Sequence, residues 1–213
     1  MTCILAFDTS AAHCAAALLT DDTCLTRIDP MDKGQAERLI PLLEELLSEA
    51  GRTWADLDAI AVGIGPGNFT GVRISVAAAR GLALGRGIAA IGISTLEALA
   101  FGQKGEVVVV QDARREAGYV QPFTDGIATA DPILCHDIGT VAGPAFIGEL
   151  AEKVAAPLAA RLRTPVYPLP EAMARLAATR LGQSLPRPAP LYLRAADAAP
   201  ARDLPPPILD QPA

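Results

Sequence analysis

GIGPGNFTGVR, Gly63 to Arg73, places four glycines and one proline within nine positions. An apolar run, DLDAIAVGI (56–64), leads into it and reads as a strand with both faces covered. A helix-like run over 70–85 leads out. Strand, glycine-rich turn and helix N-terminus together form a common anion-binding arrangement. The register fits neither standard phosphate loop. No lysine stands where GxxxxGK[ST] requires one. After Gly65 and Gly67, the dinucleotide fingerprint needs a third glycine at 70, where Thr70 stands and Gly71 comes one place late. Backbone N–H groups could still take an anion, so phosphate binding and close packing both stay open.

Working outward, the chain opens with strand-like CILAF (3–7), HCAAALLT (13–20) and TCLTRI (23–28), joined by DTSAA and Asp21-Asp22. These predict an antiparallel meander. GQAERLIPLLEELLSEA (34–50) is a helix: Ala36, Leu39, Leu43, Leu46 and Ala50 recur at helical spacing, and Gly51 stops it. Pro41 predicts a kink or a later start. IAAIGIS (88–94) is a buried strand and TLEALAFG (95–102) a short helix. After GQKG (102–105) the pattern restarts. EVVVVQDA (106–113) and EAGYVQPF (116–123) form a hairpin around Arg114-Arg115, and a weaker strand follows near 127–134. AFIGELAEKVA (145–155) and EAMARLAATRLG (171–182) read as helices. Strands precede helices in both halves, which suggests a degenerate duplication. Residues 195–213 are rich in Pro and Ala and read as an extended or disordered tail.

The chain has 213 residues, 51% hydrophobic and 20% charged, which is globular composition. Net charge is −6, so a nucleic-acid role calls for a basic partner or a local basic patch. Cys3, Cys14, Cys24 and Cys135 form no CxxC and no zinc spacing; they read as reduced structural thiols. The N-terminal MTCILAFDTS has no basic region, which argues against a signal peptide. Arg73, Arg80 and Arg86 interrupt the Ala/Gly-rich stretch, so no membrane span is expected. A cytoplasmic protein is the expectation.

Candidate sites follow from side-chain chemistry. Asp8-Thr9-Ser10 could hold a phosphate and Mg²⁺, or form an Asx turn at a strand end, which the composition favours. Thr70 is a candidate N-cap. Arg73 then opposes the helix dipole and needs an anion: Asp58 or Asp56, or a bound anion or acidic partner. The helix carries two small-residue ridges, Ser75-Ala79-Ala83 and Ala77-Gly81-Gly85, which permit close helix packing. His13 and His136 are the only histidines, HExxH and HxxxH are absent, and no metal site and no catalytic set is expected.

LAFDTS (5–10), QAERLIPLLEELL (35–47), DLDAIAVGIGPGNFTGVRISVAAARGLALG (56–85), IGISTLEALA (91–100), QDARREAGYV (111–120) and PLYLR (190–194) occur in an order that resembles the TsaB (YeaZ) family. The resemblance covers about residues 3–194. It implies an α/β, two-lobe actin-like/Hsp70/sugar-kinase (ASKHA, ribonuclease H-like) fold. The lobes would be 1–104, carrying partner-binding helices, and 105–194, shortened, before the tail 195–213. It also implies a non-catalytic role in making N6-threonylcarbamoyladenosine at tRNA position 37. The partners implied are catalytic TsaD, the ATPase TsaE, tRNA through the complex, and a second copy of the chain when TsaD is absent. By position, helices 34–50 and 70–85 would meet the partner, through Leu39, Leu43, Leu46, Val72, Ser75, Val76 and Ala79. Gln35 stands where many members have histidine, and Asn68 where serine is usual. No cofactor is expected to be required. The competing readings are a stand-alone ASKHA ATPase or phosphotransferase, with ATP or ADP and Mg²⁺ at Asp8, Thr9 and Ser10, and an M22 glycoprotease-like peptidase.

Overall fold

The structure, a computed structural model, describes residues 2–194; the tail expected over 195–213 lies outside the described residues. The chain runs β1 (Cys3–Asp8), β2 (His13–Thr20), β3 (Thr23–Pro30), α1 (Gln35–Glu49), β4 (Ala59–Gly63), α2 (Phe69–Arg86), β5 (Ala89–Ile93) and α3 (Thr95–Ala100). It continues with β6 (Glu106–Asp112), β7 (Gly118–Thr124), β8 (Ile127–Ala128), β9 (Ile133–Cys135), β10 (Ala145–Ile147), α4 (Ala151–Leu158), β11 (Arg161–Leu162) and α5 (Leu169–Ala178).

The first sheet has the order β3-β2-β1-β4-β5, and the second β11-β10-β6-β7-β8 with β9 also on β7. In each, the first strand pairs antiparallel with the second and parallel with a later strand reached through a crossover: β1 with β2 and β4, β6 with β7 and β10. The second sheet therefore repeats the strand order of the first in shortened form. This is the expected ASKHA fold, two sheets each opening on an antiparallel meander.

Alternation along the strands sorts the core. Leu5, Phe7, Ile60 and Val62 face Leu39, Leu43 and Leu46 of α1 and Val72 and Val76 of α2. The opposite face presents Ile4, Ala6, Ala17, Ala59 and Ala61 to Ala172, Met173, Ala174 and Ala177 of α5. Bulky residues fill the space under two helices, and small ones let α5 lie close against the sheet. The expected division at 104/105 does not separate the helices, because α5 covers the first sheet although it comes from the second part of the chain.

Two other expectations are corrected. Residues 145–155 are not one helix: Ala145–Ile147 form β10, and Gly148, at φ 117°, turns the chain before α4. A side chain at Gly148 would sit 2.5 Å from the Val110 carbonyl oxygen, so glycine lets this turn press against β6. The strand expected near 127–134 is two short strands, β8 and β9. α1 starts at Gln35 and runs through Pro41 to Glu49.

Candidate functional site

The glycine-rich stretch is packed directly on the Asp8-Thr9-Ser10 turn. A β-carbon on Gly63 would lie inside contact distance of the Asp8 carboxylate, and one on Gly71 would overlap the Thr9 carbonyl. One on Gly67 would sit 2.6 Å from the Ser10 carbonyl oxygen. Glycines at 63, 67 and 71 thus meet Asp8, Ser10 and Thr9, the three residues of one turn. Hydrogen bonds join the same segments: Thr9 Oγ1 donates to Gly71 O at 2.7 Å, and Asn68 N–H donates to Ser10 O at 2.6 Å. Ser75 Oγ donates to Gly63 O at 3.2 Å, tying α2 to β4. The stretch serves close backbone approach.

The N-cap of α2 is Asn68, whose side chain accepts from Gly71 N–H at 2.9 Å, and not Thr70, which lies exposed within the first turn. Asparagine is among the residues that cap helices well. Gln35 donates to Met31 O at 3.2 Å, which holds the chain entering α1.

Asp8 and Thr9 are fully buried, and of the three turn residues only Ser10 lines the cleft between the two sheets. Asp8 Oδ1 accepts from Ser10 N–H at 2.9 Å and Ser10 Oγ at 2.8 Å, and lies 2.9 Å from His13 Nε2. Its other oxygen, Oδ2, is buried, has no hydrogen-bond partner and points at Gly63. Neither Asp8 oxygen is left open to the cleft: Oδ2 faces the Gly63 backbone, and Oδ1 is taken up by Ser10 and His13. Nor do Ser10, Asp8 and His13 form a hydrolytic triad: the aspartate sits between serine and histidine, where the histidine should be.

The cleft is about 1200 Å³. Its far wall repeats the near one. Asp112 ends β6 as Asp8 ends β1, and its Oδ1 accepts from Arg114 N–H at 2.7 Å, the same two-residue Asx bond as in Asp8–Ser10. The two sheets thus share a turn hydrogen bond as well as a strand order. The segment 188–194 crosses the cleft as a strap. Leu191 N–H donates to Ile64 O at 2.8 Å on the first sheet's side, and Arg194 donates to Ala113 O at 3.0 Å on the second's.

Arg73 belongs to that strap's anchor. Its guanidinium lies 3.7 Å from the Phe69 ring centroid, its Nε donates to Tyr192 Oη at 2.8 Å, and Phe69 stacks on Tyr192 at 4.6 Å. Neither expected carboxylate reaches it. Asp58 accepts from Cys3 N–H, and Asp56 bonds both the backbone and hydroxyl of Thr53. Aromatic faces supply the negative potential instead. Tyr192 and the strap are features of the cleft that local sequence pattern does not reveal. The alternation in PLYLR is the available signal, too short to distinguish from loop.

The residues expected at a partner surface are elsewhere. Leu39, Leu43, Leu46, Val72, Ser75, Val76 and Ala79 are each at most 3% exposed and pack on the first sheet. A helix on a sheet must bury its apolar stripe there first, so the stripe is not free for a partner. Solvent meets the second ridge of α2, Ala77, Gly81 and Gly85, together with Leu84, which is 75% exposed. On α1, Arg38 bonds Asp29 and Glu45, and Arg27 bonds Glu45 and Glu49, so ion pairs span from its outer surface to β3.

A family profile described as "TsaD: tRNA N6-adenosine threonylcarbamoyltransferase" matches residues 31–147. An uncharacterized protein of Mycobacterium tuberculosis H37Rv is 35% identical over 92% of this chain and 94% of its own. The Escherichia coli K12 protein named tRNA threonylcarbamoyladenosine biosynthesis protein TsaB is 40% identical over 99 residues, 46% of this chain and 43% of that one. The structure of YeaZ from Pseudomonas aeruginosa is similar at a TM-score of 0.77 and 28% identity, over 91% of this chain and 100% of that one. The chain spans about half the length of the TsaB-named relatives it matches, and 57% of a similar uncharacterized protein of Mycobacterium leprae. With the duplicated sheet and the glycine-packed turn, these likenesses mean that the chain belongs to the TsaB (YeaZ) family.

Proposed function

We propose that this chain acts in the biosynthesis of tRNA threonylcarbamoyladenosine as a non-catalytic subunit that binds and supports TsaD. The names of its TsaB relatives support the pathway. The observation that carries the subunit reading is the outer face of α2. Ala77, Gly81 and Gly85 form a smooth ridge beside exposed Leu84. Small residues permit a partner helix to approach closely, and Leu84 offers an apolar anchor. In this reading the ridge meets TsaD, or a second copy of the chain in its absence. TsaE and tRNA join through the assembly, in the cytoplasm, and adenosine 37 of ANN-decoding tRNAs is the modified base. The packed Asp8-Thr9-Ser10 turn supports a role without nucleotide chemistry of its own.

Reconstitution tests this. The purified chain is expected to co-elute with TsaD and to raise threonylcarbamoylation of an ANN-decoding tRNA. No complex and no change in modification would sink the proposal. Nucleotide turnover by the isolated chain, abolished by Asp8→Ala, would favour the phosphotransferase reading instead.

A further inference from the structure

A second concavity, about 410 Å³, opens where the C-terminal end of α2, the edge strand β5 and the segment 180–188 meet. Arg80, Arg180 and Arg187 line it, and no aspartate or glutamate does. In a chain of net charge −6 this is an inverted local balance. Arg180 is held in place by Glu97, its Nη2 lying 2.6 Å from Glu97 Oε1. Arg80 and Arg187 make no hydrogen bond, ion pair or ring contact among the described residues. Unpaired guanidiniums that share one hollow repel each other, and an anion between them relieves that repulsion.

The opposing charge is small. The C-terminus of α2 contributes roughly half a negative charge. Part of it is already capped, since Gly87 N–H and Ile88 N–H bond the last carbonyls of the helix. Two unpaired guanidiniums outweigh it.

We propose that this hollow binds phosphate, and that the phosphate is the phosphodiester backbone of RNA. Three features favour that class. Guanidinium forks match phosphate oxygens in pairs. Apart from the arginines, the hollow is lined by Ala83, Ala89, Ala90 and other apolar residues, and its one further polar side chain, Gln183, has its amide N–H engaged by Thr179 O. Exposed Leu84 is shared between the hollow and the outer ridge of α2, so an RNA strand seated here lies at the edge of the proposed TsaD contact. The choice of RNA rests on the function proposed above.

The test uses the full chain alone. Amide spectra are recorded with inorganic phosphate and, separately, with a single-stranded RNA decamer, at 20 to 200 mM salt, for the wild type and Arg80→Ala/Arg187→Ala. Both arginines are at least partly exposed, so the variant is expected to keep its spectrum elsewhere. The RNA is expected to shift amides of residues 87–91 and 180–187. The double variant is expected to lower the log–log salt slope by about 1.4, since each phosphate that an arginine neutralises on a single strand adds roughly 0.7. Shifts confined to other surfaces, no shifts at all, or an unchanged slope in the variant overturn the site. Shifts with phosphate but none with RNA overturn the RNA assignment and leave an inorganic-anion site only. The experiment does not involve TsaD. A chain that binds RNA here but not TsaD overturns only the subunit reading, and the converse overturns only this one.

Discussion

Gly71→Ala and Gly81→Ala place the same methyl group on the same helix with opposite expected effects. At Gly71 the added carbon meets the Thr9 carbonyl, followed by Ser10 Cα, and these backbone atoms cannot rotate away. Overpacking of this kind costs about 1–3 kcal/mol. Moving Thr9 also weakens its 2.7 Å hydrogen bond to Gly71 O, a loss of about 1 kcal/mol. The greater helix propensity of alanine returns at most about 1 kcal/mol. The net expectation is a destabilisation of about 1–3 kcal/mol. At Gly81 nothing lies within 4 Å of the new carbon, so only propensity acts, and the variant gains about 1 kcal/mol. Urea unfolding followed by circular dichroism measures both. In melting temperature, each kcal/mol corresponds to about 2–4 °C for a chain of this size. Equal shifts, or a Gly71→Ala variant as stable as the wild type, would refute the packing account of the glycine stretch. Gly81→Ala has a second readout. If the outer ridge of α2 is the docking surface, the stabilised variant should bind TsaD more weakly.

Leu84→Asp should cost only about 1 kcal/mol, because the side chain is 75% exposed and the penalty is confined to helix propensity and an acid in the last turn of α2, yet it should abolish co-elution with TsaD; retained co-elution removes the ridge from the interface. Asp8→Ala leaves Ser10 and His13 without their shared acceptor and should cost about 2–4 kcal/mol in urea unfolding; an unperturbed midpoint would show that the turn is not held by this carboxylate. Burial in β2, with Asp29 adding to it, pushes the Cys14 thiol up to about 11 from 9.0. Its folded value is raised, so the stabilising contribution is intact below pH 9 and is lost as pH climbs from 9 toward 11. The amount is about 3 kcal/mol for a shift of this size. Cys14→Ala should therefore show a shallower fall in unfolding free energy between pH 8.5 and 10.5, and identical slopes would contradict the burial argument. Tyr192→Phe removes the hydroxyl that accepts from Arg73 Nε; protease cleavage near residue 190 is expected to quicken, and an unchanged rate would mean that stacking on Phe69 alone holds the strap.

Much of the fold is readable from local pattern. The short continuous apolar runs CILAF and AIAVG mark strands buried on both faces, the leucines of α1 recur at the helical period, and the strand pattern restarts at Glu106. β10 escapes such a reading because Ala145–Ile147 is too short to show a period, and the apolar residues of α4 extend the same stripe. The site is less readable. Glycine register and the missing lysine separate GIGPGNFTGVR from the known phosphate loops. What its glycines approach is hidden, since Asp8, Thr9 and Ser10 are more than fifty residues away in sequence and only the β1–β4 pairing brings them alongside.

The direction of α2 shows the same division. Sequence alone determines that α2 carries two ridges of small residues, because a 3.6-residue period places 75, 79 and 83 together and 77, 81 and 85 together. Which ridge faces inward is a tertiary matter. The sheet takes Ser75, Ala79 and Ala83, because Val72 and Val76 share that side and gain most by leaving water against β1 and β4. Ala77, Gly81 and Gly85 are left to solvent, and with them the surface on which the proposed partner would dock.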